Sequence, residues 1–151
     1  PEEKAVAIFY ASMYGNTENA ANLLANGLAE AGVKNIALYD ISSIHVSTLI
    51  AEIFRCSHIV LASPTYNNGM YPAMANLIHD MKALLLQNRT VGLIENGTWN
   101  PASGKLMRAE LNGMKGMDIL EPAVTLKSSL KEDSKAQLDA LKDAIVESLK
   151  G

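Results

Sequence analysis

At 151 residues, with 48% hydrophobic and 19% charged residues, the chain has the makeup of one globular domain, large enough to bury roughly 68–70% of its unfolded surface. That composition excludes a disordered, fibrous or low-complexity chain, and no internal repeat is visible. A net charge of −3, unrelieved by any cluster of Lys and Arg, gives no electrostatic footing for nucleic acid or an anionic membrane.

Cys56 is the single cysteine, so no internal disulfide is expected, and neither a secretory signal nor an apolar run long enough to cross a bilayer is present. These features point to a reducing, cytoplasmic setting. The chain reads as one domain over 1–151, in which Pro1 follows a removed initiator Met or "PEEK" (Pro1 to Lys4) is the remnant of a linker.

The first apolar run, Ala5 to Ala11, reads as a strand. A helix follows from Thr17 to Ala31, with Ala20, Leu24, Leu28 and Ala31 on one stripe and Gly32 as its stop. "NIALYD" (Asn35 to Asp40) is the second strand, and Val46 to Phe54 a short second helix. "HIVLAS" (His58 to Ser63) is the third strand. Pro72 opens a third helix carrying Met74, Leu77, Ile78, Met81 and Leu85 on one face.

"TVGLIE" (Thr90 to Glu95) is the fourth strand, and a fourth helix starts near Ser103. "AVTLK" (Ala123 to Lys127) is the fifth strand. A last helix opens on "SKAQ" (Ser134 to Gln137), a capping-box pattern, and aligns Leu138, Leu141, Ile145 and Leu149. The strand runs lack polar alternation, as expected of strands covered on both faces. Five strands alternating with helices predict an α/β doubly wound parallel sheet of order 2-1-3-4-5, which binds ligands beyond the carboxyl ends of strands 1, 3 and 4.

The loop after strand 1 is "SMYGNT" (Ser12 to Thr17). At the start of a helix, its backbone N–H groups and the helix's positive end suit an anion, and Gly15 allows close approach. Ser12, Asn16 and Thr17 add neutral donors, while no Lys or Arg occurs from Ala5 through Asn26. The motifs for triphosphates and dinucleotides are absent, so a terminal monophosphate fits best. The same residues also suit an ordinary N-cap and turn.

The loop after strand 3, "SPTYNNGMYP" (Ser63 to Pro72), is rich in turn formers and in side chains that both donate and accept. Tyr66 could stack on a flat heteroaromatic ring whose edge Thr65, Asn67 and Asn68 reach, and Gly69 permits a change of peptide orientation. The loop after strand 4, "ENGTWNPASG" (Glu95 to Gly104), holds the single tryptophan, Trp99, which suggests a planar ligand or a cap over the core.

Together these three loops resemble the FMN-binding loops of flavodoxin-like domains, and "SPTYNNG" is most similar to the flavodoxin domain of flavodiiron proteins (A-type flavoproteins). The resemblance covers nearly the whole chain. It implies that Ser12, Met13, Tyr14, Gly15, Asn16 and Thr17 hold the FMN phosphate, with Ser63, Pro64 and Thr65 near the ribityl chain and ring. Tyr66, Asn67, Asn68 and Gly69 would line the isoalloxazine, and Asn96, Gly97, Thr98 and Trp99 would close its other side. The third loop departs from the subgroup, because "NPASG" follows Trp99 where a small-residue, Gly-rich turn is usual.

The implied role is electron transfer by FMN, and the acidic surface with Glu95 nearby is expected to disfavour the anionic reduced flavin. The implied partners are a rubredoxin-like or NAD(P)H-dependent reductase as donor and a diiron domain as acceptor, within a homo-oligomer that brings FMN near a neighbouring subunit's metal. Oxygen or nitric oxide reduction would belong to that diiron domain. A stand-alone flavodoxin, an FMN-dependent quinone or nitro reductase and a cofactor-free phosphate-binding domain are the alternatives. His45, His58 and His79 fall on different elements, so no metal site is expected.

Overall fold

The computed structural model describes residues 1–11, 16–66, 69–96, 102–121, 123–126 and 132–151. In chain order the elements are β1 (Glu3–Tyr10), α1 (Asn16–Glu30), β2 (Ile36–Asp40), α2 (Val46–Arg55), β3 (Cys56–Tyr66), β4 (Gly69–Met70), α3 (Pro72–Ala83), β5 (Thr90–Asn96), α4 (Ser103–Asn112), β6 (Asp118–Ile119), β7 (Val124–Leu126) and α5 (Glu132–Lys150).

The parallel sheet runs β2-β1-β3-β5, and both β6 and β7 pair with the far side of β5. The expected winding order is kept, with one correction: the fifth position is held by two short segments, at Thr90–Val91 and at Ile94–Asn96 of β5. Between them Leu120 still donates to the Val91 carbonyl (2.8 Å), and residue 122 lies outside the described residues. The seventh strand, β4, is antiparallel to the end of β3 and was not foreseen.

Alternation along the central strands sends residues to two separate cores. Ala5, Ala7, Phe9, Ile59, Leu61, Val91 and Leu93 face α2, α3 and α4, while Val6, Ile8, Val60, Ala62 and Ile94 face α1 and α5. This is the double coverage that unbroken apolar runs imply. Each fully buried Leu, Ile or Phe contributes about 1.5–3 kcal/mol relative to exposure. Phe9 also stacks on Tyr39, their ring centroids 5.5 Å apart.

Helix α1 ends at a glycine, whereas α3 does not. At the end of α1, Gly32 takes φ +96°, a left-handed conformation that a side chain disfavours, and Val33 donates to the Leu28 carbonyl. At the end of α3 the same turn is made without glycine. Leu85 takes φ 59° and Leu86 donates to the Met81 carbonyl, so Leu85 lies past the helix and is 81% exposed instead of continuing the buried face of Met74, Leu77, Ile78 and Met81.

"SKAQ" is not a cap: α5 begins at Glu132. The Ser134 hydroxyl donates to the Thr125 carbonyl (3.5 Å), and the Gln137 side-chain oxygen accepts the Thr125 N–H (2.8 Å), so these side chains fasten α5 to β7.

Arg89 and His58 are buried at the amino end of the sheet. Arg89, 6% exposed, donates to the carbonyls of Ile53, Phe54 and Gln87 and lies over the Phe54 ring at 5.9 Å. It therefore neutralises the negative end of α2. His58, also 6% exposed, bridges β3 to α5, with Nδ1 2.7 Å from Ser57 Oγ and Nε2 2.9 Å from Ser148 Oγ.

Burial, aided by Lys4 and opposed by Asp118, holds the His58 pKa below the ordinary 6.5. As pH falls through 6.5 the unfolded chain binds a proton that the folded chain refuses, so stability decreases on acidification from there down to the folded pKa. Denaturant unfolding from neutral pH downward should show this decline, and His58→Gln should flatten it. An unchanged profile would show that another group sets the acid dependence.

Candidate cofactor-binding site

The carboxyl ends of β1, β3 and β5 lie side by side, with Tyr10 paired to Ala62 and Ala62 to Ile94, and the Ala11 N–H donates to the Ala62 carbonyl (2.9 Å). β2 lies on one side of β1 and β3 on the other, so this edge is where the winding reverses. Helix α1 opens here at Asn16, and its 15 residues bring a positive end to the edge.

Thr17 is 1% exposed within the first turn of α1. Glu18 beside it is exposed and accepts the Tyr10 hydroxyl proton at 3.3 Å. Burial first, then Glu18 and Asp40, push the Tyr10 pKa up, so Tyr10 stays a neutral donor. Ser12, Met13, Tyr14 and Gly15 lie outside the described residues.

β3 runs on past Ser63 through Pro64 and Thr65 to Tyr66, then returns as β4, with Thr65 opposite Met70 and Tyr66 opposite Gly69. Two residues, Asn67 and Asn68, connect the paired positions and lie outside the described residues. Tyr66 is 42% exposed and meets Tyr71 edge to face at 6.1 Å, a pair that presents aromatic surface beside the sheet's edge. An Asn-Asn-Gly sequence after a strand is the signal by which this hairpin could have been anticipated.

Ser63 and Thr65, two residues apart on one face, turn toward α4. The Thr65 Oγ1 accepts the N–H groups of Ala102 (3.0 Å) and Ser103 (3.2 Å), and the Ser103 hydroxyl donates to the Ser63 carbonyl (3.2 Å). Ser63 Oγ donates to the Pro64 carbonyl at 3.1 Å. Ala102 and Ser103 are the site residues that the sequence did not single out, because their partner is distant in the chain.

Glu95 is 9% exposed, and so forms no part of an acidic surface. Its carboxyl packs against Gly104, and desolvation pushes its pKa up, against the Gly104 N–H and the Thr125 hydroxyl, which favour the charged form. Asn96, partly buried, ends β5 opposite Pro64. Gly97, Thr98 and Trp99 lie outside the described residues.

The structure thus brings Thr17, Ser63, Pro64, Thr65, Tyr66, Gly69 and Asn96 to one edge. The described members offer hydroxyls, an amide and aromatic faces at a helix start, a set that fits a ligand with a phosphate at one end and a flat ring at the other. Among the described residues no group of three or more His, Cys, Asp or Glu could hold a metal, and no helix is long and apolar enough to cross a membrane.

The family model described as Flavodoxin matches residues 8–140. The chain is 31% identical over 145 residues to the rubredoxin-oxygen oxidoreductase of Megalodesulfovibrio gigas, covering 96% of this chain and 36% of that protein. A solved rubredoxin oxygen:oxidoreductase from the anaerobe Desulfovibrio gigas superposes with a TM-score of 0.90 at 31% identity, over 99% of this chain and 37% of that one. A flavodoxin from the domain Archaea superposes with a TM-score of 0.84 at 18% identity over 97% of this chain and 99% of its own, a likeness of fold alone. The chain spans about a third of the length of the rubredoxin-oxygen oxidoreductase it matches.

Proposed function

The chain belongs to the flavodoxin family, whose domains bind FMN, and on that premise we propose that it is the electron-transfer module of a flavodiiron-type oxygen or nitric oxide reductase or of a close single-domain relative. The observation that carries this reading is the junction at the sheet's carboxyl edge. There the start of α1, the β3–β4 hairpin and the end of β5 converge within a chain 31% identical to a rubredoxin-oxygen oxidoreductase along nearly all its length.

Bound FMN supplies reversible electron transfer. In this reading Ser12, Met13, Tyr14, Gly15, Asn16 and Thr17 hold the phosphate with neutral donors and the positive end of α1, so the phosphate's charge is stabilised without a cation. Ser63, Pro64 and Thr65 flank the ribityl chain and ring, chiefly through their backbone, since the Thr65 hydroxyl oxygen is engaged by α4. Tyr66, Asn67, Asn68 and Gly69 line the ring, and the Tyr66–Tyr71 pair keeps water from one side of it. Asn96, Gly97, Thr98 and Trp99 close the other side.

The donor in this reading is a rubredoxin-like protein or an NAD(P)H-dependent reductase. The acceptor is a diiron domain, which would carry out any oxygen or nitric oxide reduction. Mixing the FMN-loaded chain anaerobically with a reduced rubredoxin-type iron protein should bleach the flavin absorbance as the iron centre is oxidised. Flavin that dithionite reduces but the iron protein leaves oxidised would contradict the proposed role.

A further inference from the structure

A helix start leaves N–H groups without intrahelical partners, and an N-cap Ser, Thr, Asp or Asn usually accepts one of them. The N-cap of α4 is Ala102, whose side chain has no acceptor. Thr65 supplies the cap from another strand: its Oγ1 accepts the Ala102 and Ser103 N–H groups, and its own proton points to Ser103 Oγ (3.4 Å). The Ser103 hydroxyl in turn donates to the Ser63 carbonyl and Ser103 is fully buried, so the chain of hydrogen bonds is shielded from water.

A second contact reinforces the first one residue further on. The Glu95 carboxyl fills the space where a Cβ of residue 104 would stand, since an ideal Cβ there would lie 2.8 Å from Glu95 Cδ. Glycine at 104 is therefore what lets a side chain of β5 press on the first turn of α4. The carboxyl also lies at the positive end of that helix, where it is favourably placed.

We propose that Thr65 is a positioning residue of the flavin site. By capping α4 from β3, with Glu95 against Gly104 as the second support, it fixes the point at which the chain enters α4 after residues 97–101. It thereby couples the second ligand-binding segment to the third. Thr65 acts through α4 and not by hydrogen-bonding the flavin with its side chain. The inference rests on the FMN reading above for its functional consequence, and on the hydrogen bonds alone for its structural one.

Trp99, the single tryptophan, lies in the coupled segment and gives a readout that needs no flavin. Thr65→Val removes the acceptor at nearly constant volume. It should shift the Trp99 emission maximum of the apoprotein and weaken FMN binding by about tenfold, a fraction of the loss for two backbone N–H groups without a buried acceptor because the apoprotein bears most of it. Thr65→Ser should restore both signals.

Gly104→Ala, which favours helix formation by itself, should shift Trp99 emission in the same direction by displacing Glu95, and it serves as the test if the valine variant does not fold. Wild-type emission in Thr65→Val, with or without a loss of FMN affinity, would overturn the proposal, as would a serine variant as impaired as the valine one. Should the wild-type chain take up no FMN, the functional reading fails, and the Trp99 arm still decides whether Thr65 sets this segment.

Discussion

Arg89→Met should lower the stability of the fold by about 3 kcal/mol or more, the largest effect expected of any single polar side chain described here. The guanidinium donates to three main-chain carbonyls, two of them, Ile53 and Phe54, in the last turn of α2 where intrahelical donors are lacking. Met matches much of the apolar stem but leaves those oxygens buried without partners, and each such group costs about 1–3 kcal/mol.

Burial pushes the Arg89 pKa below its ordinary value, yet the group remains a cation facing the negative end of a helix. Arg89→Lys keeps the charge but loses the forked geometry that serves separate carbonyls, so an intermediate loss is expected. Urea denaturation with an unchanged slope and a lower midpoint is the signature. A methionine variant as stable as wild type would show that water satisfies those carbonyls.

Thr17→Val should weaken FMN binding by about tenfold to a hundredfold while leaving riboflavin binding unchanged, because a hydrogen bond to a charged group contributes about 1.5–3 kcal/mol. Thr17 is buried in the first turn of α1, at the edge where the sheet's winding reverses, and valine reproduces its shape without its hydroxyl. Riboflavin has the ring and ribityl chain but no phosphate, so the pair of ligands isolates the contact. Equal losses for both flavins would mean that the substitution disturbs the pocket generally and that Thr17 does not serve the phosphate.

Much of the fold was legible in the sequence because period and burial agreed. Leu24 and Leu28 on α1, and Met74, Leu77, Ile78 and Met81 on α3, recur at helical spacing and are buried. The unbroken apolar strands announced a sheet covered on both faces. What escaped was set by contacts remote in sequence. β6 is two residues long and exists because β5 offers it a ladder, not because Asp118 and Ile119 favour a strand.

Leu85 continues the apolar period of α3 yet lies beyond its end, since the turn that closes the helix is formed by backbone hydrogen bonds and not by a glycine. Arg89 carries no local signal of burial, because two of the carbonyls it serves, those of Ile53 and Phe54, lie 36 and 35 residues away. The apolar run predicts a third strand from His58 to Ser63, whereas β3 continues to Tyr66 and pairs Pro64 with Asn96. At the site, the helix start and the Tyr-bearing segment were legible as motifs. The capping of α4 by Thr65 was not, because the two lie 37 and 38 residues apart.

Whether the carboxyl edge of the sheet binds FMN is decided by titrating the purified apoprotein with FMN and following flavin fluorescence. Quenching should saturate at one FMN per chain, with riboflavin bound more weakly because it lacks the phosphate that the start of α1 would receive. Flavin fluorescence that stays at the free-ligand value throughout, with a large excess of protein present, would contradict FMN binding there.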